Sequence, residues 1–321
     1  MKSDGLVSVV IPFFQKESGI LRRALESIEH QDQRRLKQII VVDDGSPVSA
    51  QTELSTYNGA VKSKIFVIEC PNRGPGAARN EGLNAVAADV EFVAFLDSDD
   101  LWHAEHLQRA TEALELGFDF YFCDSVEAGE SRSHFQTDCR DVFHRLRPIP
   151  GYSTLFTYPG LFFAQILKKS IIATSSVVYR FRSLADVRFP TDFSVGEDRF
   201  FWLSLLSRTN KVVCSDYVGF VYGKGINVYR SVRWGDRRLF RVLTHEMRMR
   251  RAVESCFPLS EEQREINNEI LRSKARTFLL NAKSRFFRGD VTALLLCAKL
   301  LAEFPREAVS AINHRISRRE T

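Results

Sequence analysis

The chain has no C-x-x-C pair, no H-E-x-x-H, no G-x-S-x-G elbow, and nothing close to the roughly 20 uncharged apolar residues that a membrane-spanning helix needs. Its six cysteines, Cys70, Cys123, Cys139, Cys214, Cys256 and Cys297, are scattered along the chain. That spacing argues against a zinc site or a disulfide framework and predicts reduced thiols in a reducing compartment. The longest apolar candidate, Ala293 to Leu301, is too short to span and contains Lys299. The opening MKSDGLVSVVIPFF has no small-residue cleavage signal behind its apolar run, so a buried strand explains it better than a signal peptide. His103, His106, His134, His144 and His245 show no metal-ligand spacing. Internal repeats and low-complexity tracts are absent. A cytoplasmic globular protein is expected.

What is present fits that expectation. The 321 residues suffice for one large α/β domain with additions or for two modest domains, and 44% are hydrophobic. Methionine and tryptophan occur three times each against 25 phenylalanines, so flat, rigid rings are expected to fill the core and grooves. The net charge of +5 is unevenly spread. Arg230, Arg233, Arg237, Arg238, Arg241, Arg248, Arg250 and Arg251 crowd one stretch, opposed there by Asp236 and Glu246. Arg272, Lys274, Arg276, Lys283, Arg285 and Arg288 follow, and Arg315, Arg318 and Arg319 stand at the end. Such asymmetry points to an anionic partner, either phosphate groups or an acidic lipid surface.

Along the first third, strand and helix signals alternate. Leu6 to Phe14 is a continuous apolar run suited to a strand covered on both faces. Ser18 is placed to cap a helix whose Ile20, Leu21, Ala24, Leu25 and Ile28 recur at helical spacing. Strands are predicted at Gln38 to Val42, Ile65 to Ile68, Glu91 to Leu96 and Phe118 to Cys123, with helices over about Ala77 to Ala88 and Ala104 to Leu116. This alternation builds a mainly parallel sheet with helices on both faces, and such sheets bind ligands beyond the carboxyl ends of their strands. Asp43-Asp44, Arg73-Gly74 and Asp97 to Asp100 each follow a strand, so all three clusters are expected on that edge. Val126 to Gly160 reads as loop with short elements, Thr174 to Tyr179 as a further strand, and Arg199 to Leu206 as a helix opened by Gly196-Glu197-Asp198. Beyond about Tyr229 the pattern is helical, with breaks near Pro258 and Pro305 and a cap at Ser260-Glu261-Glu262. The division expected is 1–228 and a basic, mostly helical 229–321.

Each polar cluster has two readings. Carboxylates at Phe95-Leu96-Asp97-Ser98-Asp99-Asp100 suit a hard divalent cation shared with substrate phosphates, or else Asp99 or Asp100 caps the next helix. Asp43-Asp44-Gly45-Ser46 suits a nucleobase or ribose contact, or a plain Asx turn. Asn72-Arg73-Gly74-Pro75-Gly76-Ala77-Ala78-Arg79 fails the dinucleotide fingerprint, because Arg79 occupies the third glycine position, but a Gly-rich turn feeding a helix can still cradle phosphate beside Arg79. Glu197 and Asp198 either complement a helix dipole or supply a general base beside Phe200, Phe201 and Trp202. Arg230-Ser231-Val232-Arg233-Trp234 matches a basic-x-x-Arg-Trp pattern that arises easily in so Arg-rich a segment.

As an ordered set, Val7-Ser8-Val9-Val10-Ile11-Pro12, Val41-Val42-Asp43-Asp44-Gly45-Ser46, Asn72-Arg73-Gly74 with Ala78-Arg79-Asn80, and Phe95 to Asp100 resemble the family 2 glycosyltransferases with the GT-A fold. Gly196-Glu197-Asp198 extends the likeness to about two-thirds of the chain. The resemblance implies a GT-A sheet with a helical C-terminal extension and an inverting, metal-dependent transfer from a nucleotide-diphosphate sugar, a UDP-sugar before others, with Mn or Mg as the ion. It implies that Pro12, Phe14 and Asp44 line the nucleobase pocket, with Asp44 meeting the base and Asp43 counted among the donor-binding residues. Arg79 would face the diphosphate and ribose, and Gly74, Asp97 and Ser98 would also bind the donor. Asp97 and Asp99 match the D-x-D motif, with Asp99 the direct metal ligand, and Asp198 matches the catalytic base, with Glu197 beside it. The usual Tyr-Asn after the first strand is Phe14-Gln15 here, a departure that touches the local donor contacts.

Two rivals remain at this point. A sugar-phosphate nucleotidyltransferase uses a similar sheet, but would carry a basic Gly-rich loop directly after the first strand, where Pro12-Phe13-Phe14-Gln15 stands. A non-catalytic basic protein would hold nucleic acid through the last third. Docking at the inner face of the membrane is preferred to nucleic acid for that segment, because lipid-linked saccharide acceptors are typical of the resembled family.

Overall fold

The protein's computed structural model describes residues 5–223 and 232–316. Among the described residues ten strands join one sheet: β1 (Val7–Phe13), β2 (Leu36–Asp43), β3 (Ile65–Glu69), β4 (Phe92–Phe95), β5 (Leu101–Trp102), β6 (Phe120–Glu127), β7 (Arg147–Pro148), β8 (Leu155–Thr157), β9 (Val178–Arg180) and β10 (Val212–Tyr222). The helices are α1 (Ile20–Glu29), α2 (Ala50–Ser55), α3 (Pro75–Asn84), α4 (His106–Glu115), α5 (Arg140–Phe143), α6 (Phe162–Lys168), α7 (Glu197–Leu206), α8 (Arg238–Cys256), α9 (Glu261–Phe286), α10 (Thr292–Glu303) and α11 (Pro305–Ile316).

The sheet order is β3-β2-β1-β4-β9-β6-β10-β8-β7, with β5 alongside β10. β1 pairs in parallel with β2 and β4, and β2 with β3, so four strands deliver their carboxyl ends to one edge. β9 runs antiparallel between β4 and β6, and β6 and β10 are parallel again. Along β1, Val7, Val9, Ile11 and Phe13 join the core cluster that also holds Leu21, Leu25 and Ile28 of α1 and Leu107, Ala110 and Leu114 of α4. The alternate residue Val10 faces α3, where a Cβ on Gly82 would lie 2.4 Å from its Cγ1. Helices therefore cover both faces, which is why Val9 to Phe13 of β1 and Ile39 to Val42 of β2 read as apolar runs.

The chain forms two compact units, Met1–Thr191 with Phe201–Ile226, and Asp192–Phe200 with Asn227–Thr321. The segment 192–200, which the sequence puts in the first domain, thus belongs to the second unit, and α7 supplies residues to both. In the second unit Phe240, Leu243 and Met247 of α8, Leu271, Ala275 and Phe278 of α9, Leu300 of α10 and Ala308 of α11 share one apolar core. α9 begins with the expected cap, Ser260 accepting from the backbone of Gln263 while the Gln263 side chain accepts from Ser260.

Several expectations shift. Ser18 does not cap α1; Gly19 holds that position at φ +89°, and Glu53 of α2 accepts from the backbone of Gly19 at 2.9 Å and Leu21 at 3.0 Å. Thr174–Ser176 is a single 3-10 turn, and the strand starts at Val178. β10 and α6 carry no sequence expectation. Arg230 and Ser231 of the basic-x-x-Arg-Trp pattern, the expected boundary at 228–229, and Arg318 and Arg319 lie outside the described residues.

Candidate active site

The four parallel strand ends are tied together by side chains that the sequence singles out. After β4 the chain turns at Asp97 to Asp100, closed by a backbone bond from Asp100 to the Asp97 carbonyl at 3.0 Å. The Asp97 backbone N–H donates to Ser175 Oγ at 3.0 Å, and Ser175 Oγ donates to Asp100 Oδ2 at 2.6 Å. The Gly223 N–H donates to Asp100 Oδ1 at 2.8 Å, and the Trp102 indole holds the Ser175 carbonyl at 2.7 Å. Burial, followed by the charges of Asp97 and Asp99, pushes the Asp100 carboxyl well above the usual range. Asp100 therefore acts as an internal brace for the turn. The helix-cap reading fails for both acids, since β5 intervenes and Glu105 holds the N-cap of α4. Asp97 and Asp99 stay partly exposed on this braced turn.

Arg79 projects from α3 and is almost fully buried, with Nη2 2.6 Å from Asp97 Oδ1 and its guanidinium 5.3 Å from the centre of the Phe189 ring. Phe189 in turn stacks on Phe201 at 3.8 Å. The aromatic wall behind the site comes from this cluster, in which Phe95 meets Tyr179, Phe189, Phe201 and Trp202. Gly74 is the N-cap of α3, at φ +92° and with no side-chain cap, and Pro75 has no N–H, so the N–H groups of Gly76 and Ala77 are the ones placed for an anion.

The two neighbouring aspartates after β2 divide their work. Asp43 accepts from the Ser46 and Ala50 backbones at 2.8 and 2.7 Å, the Asx turn anticipated as the plain reading. Asp44 accepts from the backbones of Arg73 and Gly74, each at 2.8 Å, and so fixes the Gly-rich turn against the end of β2. Gln15, at the departure from the family pattern, donates its side-chain amide to Ser98 Oγ at 3.0 Å and its backbone N–H to Ser46 Oγ at 3.0 Å. Pro12 and Phe14 are half-buried at the end of β1. Thus Asp44 and Gly74, Arg79 and Asp97, and Gln15 and Ser98 are joined at one sheet edge.

Glu197 and Asp198 occupy the first turn of α7, in the second unit. Asp198 Oδ1 accepts from the Arg199 backbone at 2.6 Å, and Glu197 is nearly buried. Gly196 precedes them at φ +83°, where a Cβ would meet Met249 Cε of α8 at 3.2 Å. Ser194 is held by His245 of the same helix at 2.9 Å.

Ser175, Gly223 and Gln15 are the site residues that motif reading does not single out as contributors. Gly223 is the most constrained: a Cβ there would sit 1.8 Å from the Asp99 carbonyl oxygen. Its one sequence signal is its place directly after Phe220-Val221-Tyr222, at the end of β10. Among the described residues no group of three or more His, Cys, Asp and Glu side chains can hold a metal by itself. No described helix is long and apolar enough to cross a membrane.

Comparison with known proteins gives the family and the fold. The glycosyl transferase family 2 pattern matches residues 8–187, which carry the strand-end cluster and stop short of Glu197 and Asp198. The succinoglycan biosynthesis protein ExoW of Rhizobium meliloti is 33% identical over 228 residues, 70% of this chain and 71% of that protein. The minor teichoic acid biosynthesis protein GgaA of Bacillus subtilis is 34% identical over 122 residues, 37% of this chain and only a quarter of that protein. Among solved structures, residues 1–349 of S. aureus TarS superpose with a TM-score of 0.60 at 18% identity, covering 97% of this chain and 82% of that one. The mannosyltransferase PcManGT of Pyrobaculum calidifontis, in complex with GDP-Man and Mn2+, gives 0.53 at 18% identity over 98% and 81%. The fold is that of the GT-A glycosyltransferases, and with more than half its length matched the chain belongs to glycosyl transferase family 2.

Proposed function

We propose that the protein moves a sugar from a nucleotide-diphosphate sugar, a UDP-sugar before others, to a hydroxyl of a saccharide or lipid-linked saccharide, with inversion at the sugar carbon, in the assembly of a bacterial surface polysaccharide. The observation that carries this reading is the Arg79–Asp97 pair at the edge where the uncapped start of α3 meets the Asp97 to Asp100 turn. The relatives named for succinoglycan and minor teichoic acid biosynthesis support the polysaccharide setting. The donor class is supported by the TarS structure in complex with UDP-GlcNAc, at a TM-score of 0.58.

Asp97 and Asp99 fit a divalent Mn or Mg ion. They offer hard carboxylate oxygens but too few to enclose it, which suits an ion that takes its other ligands from phosphate. When bound, the ion offsets charge on the departing nucleotide. The Arg79 guanidinium and the backbone N–H groups after Gly74 bind the diphosphate. Ser98, held by Gln15, faces the ribose. Pro12 and Phe14 flank the base, and Asp44 meets it through Oδ2, which accepts from the Gly74 backbone and keeps a second lone pair, whereas Oδ1 takes the Arg73 N–H and the Cys70 thiol. Asp43 belongs to the scaffold in this reading. Asp198 removes the proton from the acceptor hydroxyl, and Glu197 sets the charge of that helix start. One base with one displacement from the opposite face inverts the anomeric centre, whereas a double displacement would require a second carboxylate as nucleophile.

The test is NMR of the product formed from a panel of nucleotide-sugars and saccharide acceptors. An inverted anomeric linkage is expected, and a retained one contradicts the single displacement.

A further inference from the structure

Helix α10 is apolar on both sides. Ala293 and Leu300 are buried in the core of the second unit, while Val291, just before the helix, and Leu294, Leu295, Ala298 and Leu301 are exposed. Positions 291, 294, 295, 298 and 301 form one helical stripe, about 15 Å long at 1.5 Å per residue. Val291 is 68% exposed and Leu295 66%. The turn before the helix continues the surface, with Phe287 74% exposed and its ring 6.0 Å from that of Phe286. Arg285 fixes this turn by pairing with Asp290 at 2.5 Å and by holding the Gly235 carbonyl. A contiguous apolar surface of this kind on a stable turn marks an interaction site rather than scattered surface residues.

Its charged surroundings identify the partner. Lys283 Nζ lies 5.5 Å from the Phe287 ring centre, and Arg288 and Lys299 are exposed on the same turn and helix. The nearby acids are engaged, Asp290 by Arg285 and Glu303 by Arg248. Residues 227–321 carry 20 Lys and Arg against 11 Asp and Glu, a net +9, whereas the remaining 25 against 29 give −4. A second copy of the chain would bring like charges together at this face. A nucleic acid would leave the apolar stripe in water. An anionic bilayer satisfies both features, taking the rings and the stripe among the acyl chains and the cations over the headgroups.

We propose that the α9–α10 turn and the outer face of α10 dock the protein on anionic phospholipid, with α10 lying in the plane of the interface. This assignment needs no assumption about the donor or the reaction. It is tested by sedimenting the full chain with vesicles of phosphatidylcholine alone or mixed with phosphatidylglycerol. Binding to the mixed vesicles is expected, falling by roughly tenfold or more in Phe287→Ser/Leu295→Ser and in Lys283→Glu/Arg288→Glu. All these side chains are exposed, so melting temperatures are expected to hold. A parent protein that stays in the supernatant with both vesicles overturns the proposal, as do variants that bind as well as the parent. So does a parent dimer that Phe287→Ser/Leu295→Ser dissociates, which would give the face to a second copy.

Discussion

The hydroxyl of Ser175 donates to Oδ2 of Asp100 at 2.6 Å and accepts the backbone N–H of Asp97, so one buried side chain from the turn before β9 sets the shape of the loop after β4. Ser175→Ala leaves the Asp97 N–H and one Asp100 oxygen without that partner. Each orphaned buried group costs about 1–3 kcal/mol. The expected result is a lower urea midpoint together with a raised KM for the donor. An unchanged midpoint would show that the turn holds its shape without the serine.

Gly223→Ala tests the same turn from the other side. A methyl group 1.8 Å from the Asp99 carbonyl oxygen forces one backbone away from the other, since neither is a flexible side-chain end. Strain of this kind typically costs about 1–3 kcal/mol. Because the displaced segment carries Asp99, donor affinity is expected to fall further than stability. Donor binding measured by calorimetry at parental strength would mean that the Asp99 turn is not part of the donor site.

Asp198→Asn is expected to lower kcat by roughly 10²–10⁴, the usual contribution of a general base. Its partner in the fold is the adjacent Arg199 N–H, which an amide oxygen can also accept from, so the helix start is retained. Donor affinity is expected to match the parent. A variant with parental turnover removes Asp198 from the base role.

His106 supplies a pH dependence of stability independent of the site. It is fully buried, stacks on Trp102 with ring centres 4.7 Å apart, and burial lowers its pKa from 6.5 to about 3. The neutral form is therefore favoured by the fold, and the unfolded chain takes up the proton first. This contribution is fully present above pH 6.5 and is lost as the pH falls toward about 3, by up to about 1.4 kcal/mol per unit. Urea midpoints across that window should fall less steeply in His106→Phe than in the parent. Equal slopes would assign the acid sensitivity to other groups.

How much of this was legible in the sequence follows from the range of the interactions. The parallel strands β1, β2 and β4 announce themselves because both faces are covered over largely apolar runs, Val9 to Phe13, Ile39 to Val42 and Phe92 to Phe95. Turn chemistry at their ends then marks the polar clusters, and parallel pairing brings those clusters to one edge. Asp43 and Asp44 look alike in sequence, and only the structure shows that one closes its own turn while the other holds Arg73 and Gly74. Ser175 and Gly223 were invisible because they act on residues 75 and more than 120 positions away in the chain. β10 escaped notice because Asp216, Tyr217 and Gly219 interrupt its apolar pattern where its pairing with β6 shifts register. The stripe on α10 looked like an ordinary apolar helix, since periodicity alone does not say which side is left uncovered.

Thermal unfolding with nucleotide-sugars in manganese or in EDTA tests most directly whether donor phosphate is held at the edge that bears Arg79, Asp97 and Asp99. A ligand at about a hundred times its Kd stabilises the fold by about 2.7 kcal/mol, or roughly 5 °C for a domain of this size. At least one nucleotide-sugar is expected to raise the melting temperature in manganese but not in EDTA, and Asp99→Ala is expected to abolish that difference. No shift with any nucleotide-sugar, or a manganese-dependent shift undiminished in Asp99→Ala, would contradict that placement.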